Sequence, residues 1–318
     1  MLEQRLFFGV TMKKIILSLL LSFCALANAS TDVIKIIVPF APGGAGDAFS
    51  RQIQKDLGQA LNQPVVLEFK LGAGGEVAAA YLASLPANET AYMLHGSGII
   101  NSLLLNKSLP FTEDQIRPLV GVGYLPFVML TSNKSGIRTF QDLQKMSIDQ
   151  RLTFGSSGNL SSTHLAGEVF KSATGKNFVH VPYKGNNQAL TDLIAGNIDC
   201  IFFLYTNSIQ QHIESKKINA VAIGFNKRLT ELPDVPTFNE LGLPTINQLS
   251  WSAIFTNANG NVEEQNRVRD ALIKILKSNP QPYQELGWIV PRDPSFPKNF
   301  YDIEKTKIRN IIKNVSID

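Results

Sequence analysis

Cysteine is nearly absent. The 318 residues hold two, Cys24 and Cys200, too few for a thiolate cluster around a structural metal. The four histidines, His95, His164, His180 and His212, fall at no metal-ligand spacing, so no metal site is expected. No apolar run beyond residue 26 is long enough to span a bilayer. Charged residues make up 18% of the chain and nearly balance, at a formal +4. The charge falls to +2 without residues 1–29, which carry Arg5, Lys13, Lys14 and Glu3. That leaves no basic footprint for nucleic acid. There is no P-loop, no dinucleotide fingerprint and no pair of carboxylates placed for acid–base work. A serine hydrolase would carry Gly-x-Ser-x-Gly after a strand. Gly155-Ser156-Ser157-Gly158 is one residue short of it, and Gly96-Ser97-Gly98 lacks it too. No catalytic residue and no cofactor is therefore expected. The enzyme reading that survives is a hydrolase acting through Ser156 or Ser97, with His164 pressed into service as base.

What is present begins at the N-terminus. Lys13-Lys14 precede an apolar run, Ile15–Leu26, and then Ala27-Asn28-Ala29, a small-x-small cleavage site. This reads as a secretory signal peptide cut after Ala29, with Met12 as the start and residues 1–11 as an upstream extension. An uncleaved anchor is the other reading. Phe23 before Cys24 argues against a lipoprotein. Export removes Cys24 and leaves Cys200 alone, so no intramolecular disulfide can form. Cys200 sits in the apolar run Ile198–Phe203 and reads as a buried, inert thiol.

The rest of the chain is organised around residues 34–51. Ile36, Ile37 and Val38 make a buried strand, which Pro39 and Pro42 end. Gly43 and Gly44 then free the backbone. Phe49, Ile53, Leu57 and Leu61 recur every four residues as a helix face. Strand, glycine turn and helix start favour an anion by roughly 0.3–2 kcal/mol, although a plain tight turn has the same pattern. The unit repeats. Val65–Phe69 runs into Gly72-Ala73-Gly74-Gly75 and the helix Val77–Leu85, and Tyr92-Met93-Leu94 runs into Gly96-Ser97-Gly98. Such repetition predicts a parallel α/β sheet with its ligand at the carboxyl ends of the strands. Leu119–Thr131 reads as one strand leading out of a first lobe. Leu152-Thr153-Phe154 precedes a turn rich in hydroxyls, Gly155–His164, and a helix, Leu165–Ala173. That turn suits a carboxylate or phosphate, or is ordinary Ser/Thr capping. Phe178–Val181 runs into Pro182-Tyr183-Lys184-Gly185, and Ser250–Phe255 is a strand leading back.

Five stretches carry a resemblance: IKIIVPFAPGGAGD (34–47), GAGG (72–75), FGSSGNLSSTHLAGEVF (154–170), VHVPYKGNNQALTDLIAGNID (179–199) and LPDVPTFNELGLP (232–244). In order and spacing the chain resembles the Bug family, the TctC-type extracytoplasmic solute receptors of tripartite tricarboxylate transporters. The resemblance implies a type II-like periplasmic-binding-protein fold: two α/β lobes, a two-strand hinge and a ligand cleft. Residues 30–130 and 250–318 would form lobe 1, and 131–249 lobe 2. It implies a periplasmic monomer that takes a small organic carboxylate to membrane permease subunits of the TctA and TctB type. Handing the loaded receptor to a signalling protein is the alternative.

Carried over by position, the resemblance selects Phe40, Pro42, Gly43, Gly44 and Asp47, with Gly75 and Ser97 at the next two turns. From lobe 2 it selects Ser156, Ser157, Gly158, Ser161, Ser162 and His164, with Tyr183, Lys184 and Phe203 nearby. Asp47 either caps its helix or accepts from an amino or hydroxyl group of the ligand. The chain departs from the family at Phe69-Lys70, at Ala87-Asn88-Glu89-Thr90 and at Phe203-Leu204-Tyr205. The last departure removes polar groups and suggests an apolar, aromatic or branched monocarboxylate rather than citrate, unless Phe203 and Leu204 simply pack.

Overall fold

The computed structural model describes residues 33–243, 246, 251–295, 299–313, 315 and 317. The expected leader, its cleavage after Ala29 and the start at Met12 lie outside them. Among the described residues, ten strands form two five-stranded sheets. The first takes β1 (Ile34–Val38), β2 (Val65–Phe69), β3 (Ala91–Gly96), β4 (Ile116–Tyr124) and β10 (Trp251–Asn257), in the order β2-β1-β3-β10-β4. β1 is parallel to β2 and β3, with Ile36 opposite Leu67 and Tyr92, and β10 is antiparallel to β3 and β4. The second takes β5 (Phe127–Ser132), β6 (Leu152–Ser156), β7 (Phe178–Pro182), β8 (Cys200–Leu204) and β9 (Ile218–Gly224), in the order β7-β6-β8-β5-β9. Here β6 is parallel to β7 and β8, and β5 is antiparallel to β8 and β9. The two sheets share one plan. In each, the antiparallel strand is the one that the chain brings in on crossing from the other sheet.

Residues 119–131 are therefore not one strand. Leu125-Pro126 divides them, because proline has no N–H to continue the ladder. The boundary expected at residue 130 falls inside β5, and the chain changes sheet four residues earlier.

The helices are α1 (Ala45–Leu61), α2 (Glu76–Ser84), α3 (Gly98–Leu105), α4 (Phe140–Lys145), α5 (Ser162–Thr174), α6 (Asn186–Ala195), α7 (Asn207–Glu214), α8 (Val262–Ser278), α9 (Gln281–Glu285) and α10 (Phe300–Ile312). α1 buries Phe49, Ile53 and Leu57 on one face, and α8 buries Val268, Leu272, Ile275 and Leu276. This is the spacing of a helix lying on a sheet. α6 ends on Gly196 in the left-handed conformation. α7 and α9 have no counterpart in the sequence pattern, being eight and five residues long.

The second sheet is held to α5 by aromatic packing. Phe170 meets Phe140, Phe178, Phe202 and Phe238 with ring centroids 5.4 to 6.3 Å apart. Gly167, one turn earlier, lets the helix close on the sheet, since a Cβ there would lie 2.1 Å from the Phe154 ring. Cys200 is buried, and burial pushes its thiol pKa well up. Phe170→Ala is expected to destabilise the fold by about 3–5 kcal/mol. A urea titration followed by circular dichroism measures it, and a midpoint unchanged from wild type would contradict the packing described.

Candidate functional site

The strand ends meet at one cavity with about 830 Å³ of empty space, its open mouth included. Phe40 enters it just after β1, Gly96 from the end of β3, Ser157 just after β6 and Leu204 from the end of β8. Five helices also begin there. α1 presents Gly44, Ala45 and Gly46, α3 presents Gly98, α5 presents Ser161 and Ser162, and α6 presents Asn186 and Asn187. Gly74 stands in the short 3-10 turn that leads into α2. The first N–H groups of a helix have no partner within it, and each helix start carries about half a positive charge. Among the described residues no Asp, Glu, Lys or Arg lines the cavity. Its positive potential therefore comes from backbone, supplemented by hydroxyl and amide donors. Much of the remaining wall is apolar: Leu94, Leu125, Leu204, Trp251 and Trp288.

The lobes touch across the cavity. Asn101 on α3 donates from Nδ2 to the Leu160 carbonyl at 2.9 Å, and Asn207 on α7 donates to the Glu285 carbonyl at 2.8 Å. The turn at Gly74 lies so near the turn at Gly158 that a Cβ on Gly74 would fall 2.1 Å from the Asn159 carbonyl oxygen. Gly43, at φ +86°, is less crowded: a Cβ there would lie 3.3 Å from the Asn187 side-chain amide.

Of the residues expected at the site, Phe40, Gly44, Ser157, Ser161 and Ser162 line the cavity. The others are placed elsewhere, for physical reasons that differ. Pro42 and Gly43 form the exposed tip of the first turn. Asp47 is turned inward, where Oδ2 accepts the Gly43 N–H at 2.8 Å and Oδ1 pairs with Arg51 at 3.0 Å. It closes the turn that leads into α1. Gly75 packs on the His95 ring, and Ser97 is buried as the N-cap of α3. The Ser156 hydroxyl is buried between His180 Nε2 at 2.6 Å and the Gly158 carbonyl at 3.1 Å, so it closes the turn from behind. Gly158 takes φ +122° against Gly74. His164 lies inside lobe 2, where Nδ1 accepts the Leu160 N–H, and its ring stacks on His180 at 3.8 Å. Tyr183 donates to Asp192 at 2.7 Å, and Lys184 is exposed. Phe203 is buried in the lobe 2 core. Its neighbour Leu204 reaches the cavity instead, as strand alternation requires. At the Phe69-Lys70 departure, Lys70 lies over the Tyr81 ring and pairs with Glu68, away from the cavity.

The expected set omits Gly74, Asn186, Asn187, His95, Leu204 and both tryptophans, all of which line the cavity. Asn186 and Asn187 were legible, because they are the first positions of a helix that follows a strand and a glycine.

His95 is fully enclosed. Nδ1 lies 2.8 Å from the Gly96 N and 3.2 Å from the Gly96 carbonyl oxygen, and Nε2 faces the turn at Gly75. Burial pulls its pKa down to about 4, against the opposing pull of backbone hydrogen bonding to Gly96 and Gly74. His180 is brought down to about 3, by burial first and then by His164 and Lys171. Both rings are neutral at pH 7, whereas in the unfolded chain they take a proton near pH 6.5. The unfolded state binds more protons between these values, so stability is highest above about pH 6.5 and falls with acidification. His95 contributes up to about 1.4 kcal/mol per pH unit to this slope, and half-buried His180 less. A series of urea titrations from pH 7.5 to 4.5 on wild type and His95→Gln is expected to show the stability gap narrowing as pH falls. A constant gap would mean that His95 takes its proton equally in both states.

A family model described as "Tripartite tricarboxylate transporter family receptor" matches residues 49–286. The UPF0065 protein in the tcbD-tcbE intergenic region of Pseudomonas sp. (strain P51) is 30% identical over 223 residues. The match spans 69% of this chain and 66% of that relative, just under two thirds of its length. A solved structure described as a periplasmic transporter superposes with a TM-score of 0.80 at 30% identity, covering 90% of this chain and 98% of that one. The structure of an R. palustris protein with adipate superposes at 0.80 with 23% identity, covering 90% and 98%; it is similar in fold. Sheet plan, cavity and family match agree, and the chain belongs to the receptors of the tripartite tricarboxylate transporter family, which are solute-binding proteins and not enzymes.

Proposed function

We propose that this receptor captures a small organic carboxylate between its lobes and delivers it, as a monomer, to a membrane permease of large and small subunits. The observation that carries the reading is the convergence of five helix starts on a cavity that, among the described residues, has no ionised side chain in its lining. Such a cavity favours one anionic group and repels none. The adipate held by a protein of the same fold is likewise a small organic carboxylate, with two such groups rather than one. Leu94, Leu125, Leu204, Trp251 and Trp288 suit an apolar body, so the ligand is a monocarboxylate with an aliphatic or aromatic chain rather than citrate. The leader reading belongs to the same proposal and puts the protein in the periplasm, cut after Ala29. Among the described residues no helix is long and apolar enough to cross a membrane.

Thermal shift on the chain purified from the periplasm, its intact mass reporting the cleavage, tests the ligand class. A ligand at a hundred times its dissociation constant stabilises by about 2.7 kcal/mol, a rise of about 5 °C for a chain of this size. Phenylacetate or 4-methylpentanoate is expected to outrank citrate. Citrate as the tightest ligand would overturn the apolar preference, and silence across carboxylates with a response to a neutral sugar would overturn the anion reading.

Closure itself is open to test. Gly74→Ala places a methyl group against the Asn159 carbonyl and holds the lobes apart, so affinity for the best carboxylate is expected to fall about tenfold or more. Gly136→Ala is the control. Gly136 also has positive φ, at +73°, but nothing lies within 4 Å of its Cβ position, and its affinity should match wild type. Equal affinities in all three proteins would mean that the Gly74 contact plays no part in binding.

A further inference from the structure

Asn101 is a polar residue in an apolar helix. Ile99, Ile100 and Leu103 flank it on α3, and it is 1% exposed. It is not in the cavity lining. Its Oδ1 has no hydrogen-bond partner among the described residues, and a buried amide with an unmet acceptor calls for an explanation. The donor end supplies one. Nδ2 reaches out of lobe 1 to the Leu160 carbonyl at 2.9 Å and lies 3.5 Å from the Ser161 carbonyl. A carbonyl can only accept, which fixes the end of the amide that faces it.

Leu160 is the strained residue of the facing turn. Its φ is +58°, in the left-handed region that a residue with a Cβ rarely enters. Such a conformation persists only where its surroundings hold it. Two groups hold this one. His164 Nδ1 accepts the Leu160 N–H at 3.0 Å, a bond made within lobe 2 however the lobes stand. Asn101 donates to the carbonyl, a bond that requires the lobes together. Leu160 immediately precedes Ser161 and Ser162, which line the cavity at the start of α5. The start of α3 packs on the same place, since a Cβ on Gly98 would lie 3.4 Å from the Ser162 N. The backbone of Leu160 thus sets the path by which the chain enters the helix start that faces the ligand.

We propose that Asn101 is a positioning residue for ligand binding. From behind the cavity wall it holds Leu160 in the left-handed form once the lobes close, and so sets the start of α5, with Ser161 and Ser162, against the anion. When the lobes part, the Leu160 carbonyl passes to water and the turn relaxes, so that the lobe 2 half of the site loosens as it opens. Asn101 therefore acts on retention of the ligand rather than on its capture. The assignment rests on the reading above of a carboxylate held between closing lobes.

Stopped-flow binding tests it, with phenylacetate, 4-methylpentanoate and citrate as probes and tryptophan fluorescence as the signal, since Trp251 and Trp288 line the cavity. Asn101→Leu removes the donor and keeps an apolar side chain of similar size. For each acid that wild type binds, this variant is expected to raise the dissociation rate about three- to tenfold and to leave the association rate within about twofold. Leu160→Gly adopts a positive φ freely, so adding it to Asn101→Leu should restore part of the loss, which it could not do if Asn101 only filled space in lobe 1. In wild type, the Asn101 side-chain ¹H–¹⁵N cross-peaks should move downfield on saturation with the acid, and that measurement decides the matter even if the variants do not fold. Equal dissociation rates in wild type and Asn101→Leu, a loss that Leu160→Gly does not relieve, or Asn101 cross-peaks that ignore the acid would each overturn the assignment and leave the carboxylate reading standing. Failure of all three acids to bind wild type would overturn both.

Discussion

The contact between two backbones, at Gly74 in one lobe and Gly158 in the other, is what the rest of the site depends on. A side chain at either position would collide with the facing main chain, and only glycine tolerates both the space and the positive φ found there. With that contact made, helix starts belonging to different sheets face a single volume. Without it they would be separate, solvated termini, each worth little in water. Enclosure raises their value, because the same partial charges act through a medium less polarisable than water. The ionised groups nearby are kept out of this volume. Asp47 is tied to Gly43 and Arg51, and Lys70 to Glu68 and Tyr81. What lies exposed to a ligand is neutral in formal charge and positive in potential.

Much of this was legible in the residues. β1, β2, β6 and β7 and the faces of α1 and α8 follow from short apolar runs and four-residue spacing, because local pattern and tertiary burial agree there. The turns were legible as turns. What did not follow was which atoms of a turn face the cavity. Ser156 and Ser157 are adjacent and chemically alike, yet the first bonds behind the turn to His180 and the second bonds to Thr163 and lines the cavity. That difference is set by the path of the backbone. Phe203 and Leu204 differ by one residue of register, and strand alternation sends the first to the core and the second to the cavity. The two tryptophans reach the cavity from β10 and from the segment after α9, more than a hundred and fifty residues from the first turn. No local pattern reports such a meeting.

The placement of β10 has a consequence for how the molecule is made. The second sheet is built from one unbroken stretch, β5 to β9, while the first waits for a strand that follows it. That strand is not added at the margin. It sits between β3 and β4 and hydrogen-bonds to both. Until it emerges, β3 and β4 each present an unpaired edge, the kind of surface on which chains join to one another. The interval in which the young protein presents those edges therefore lasts through the synthesis of the entire second lobe.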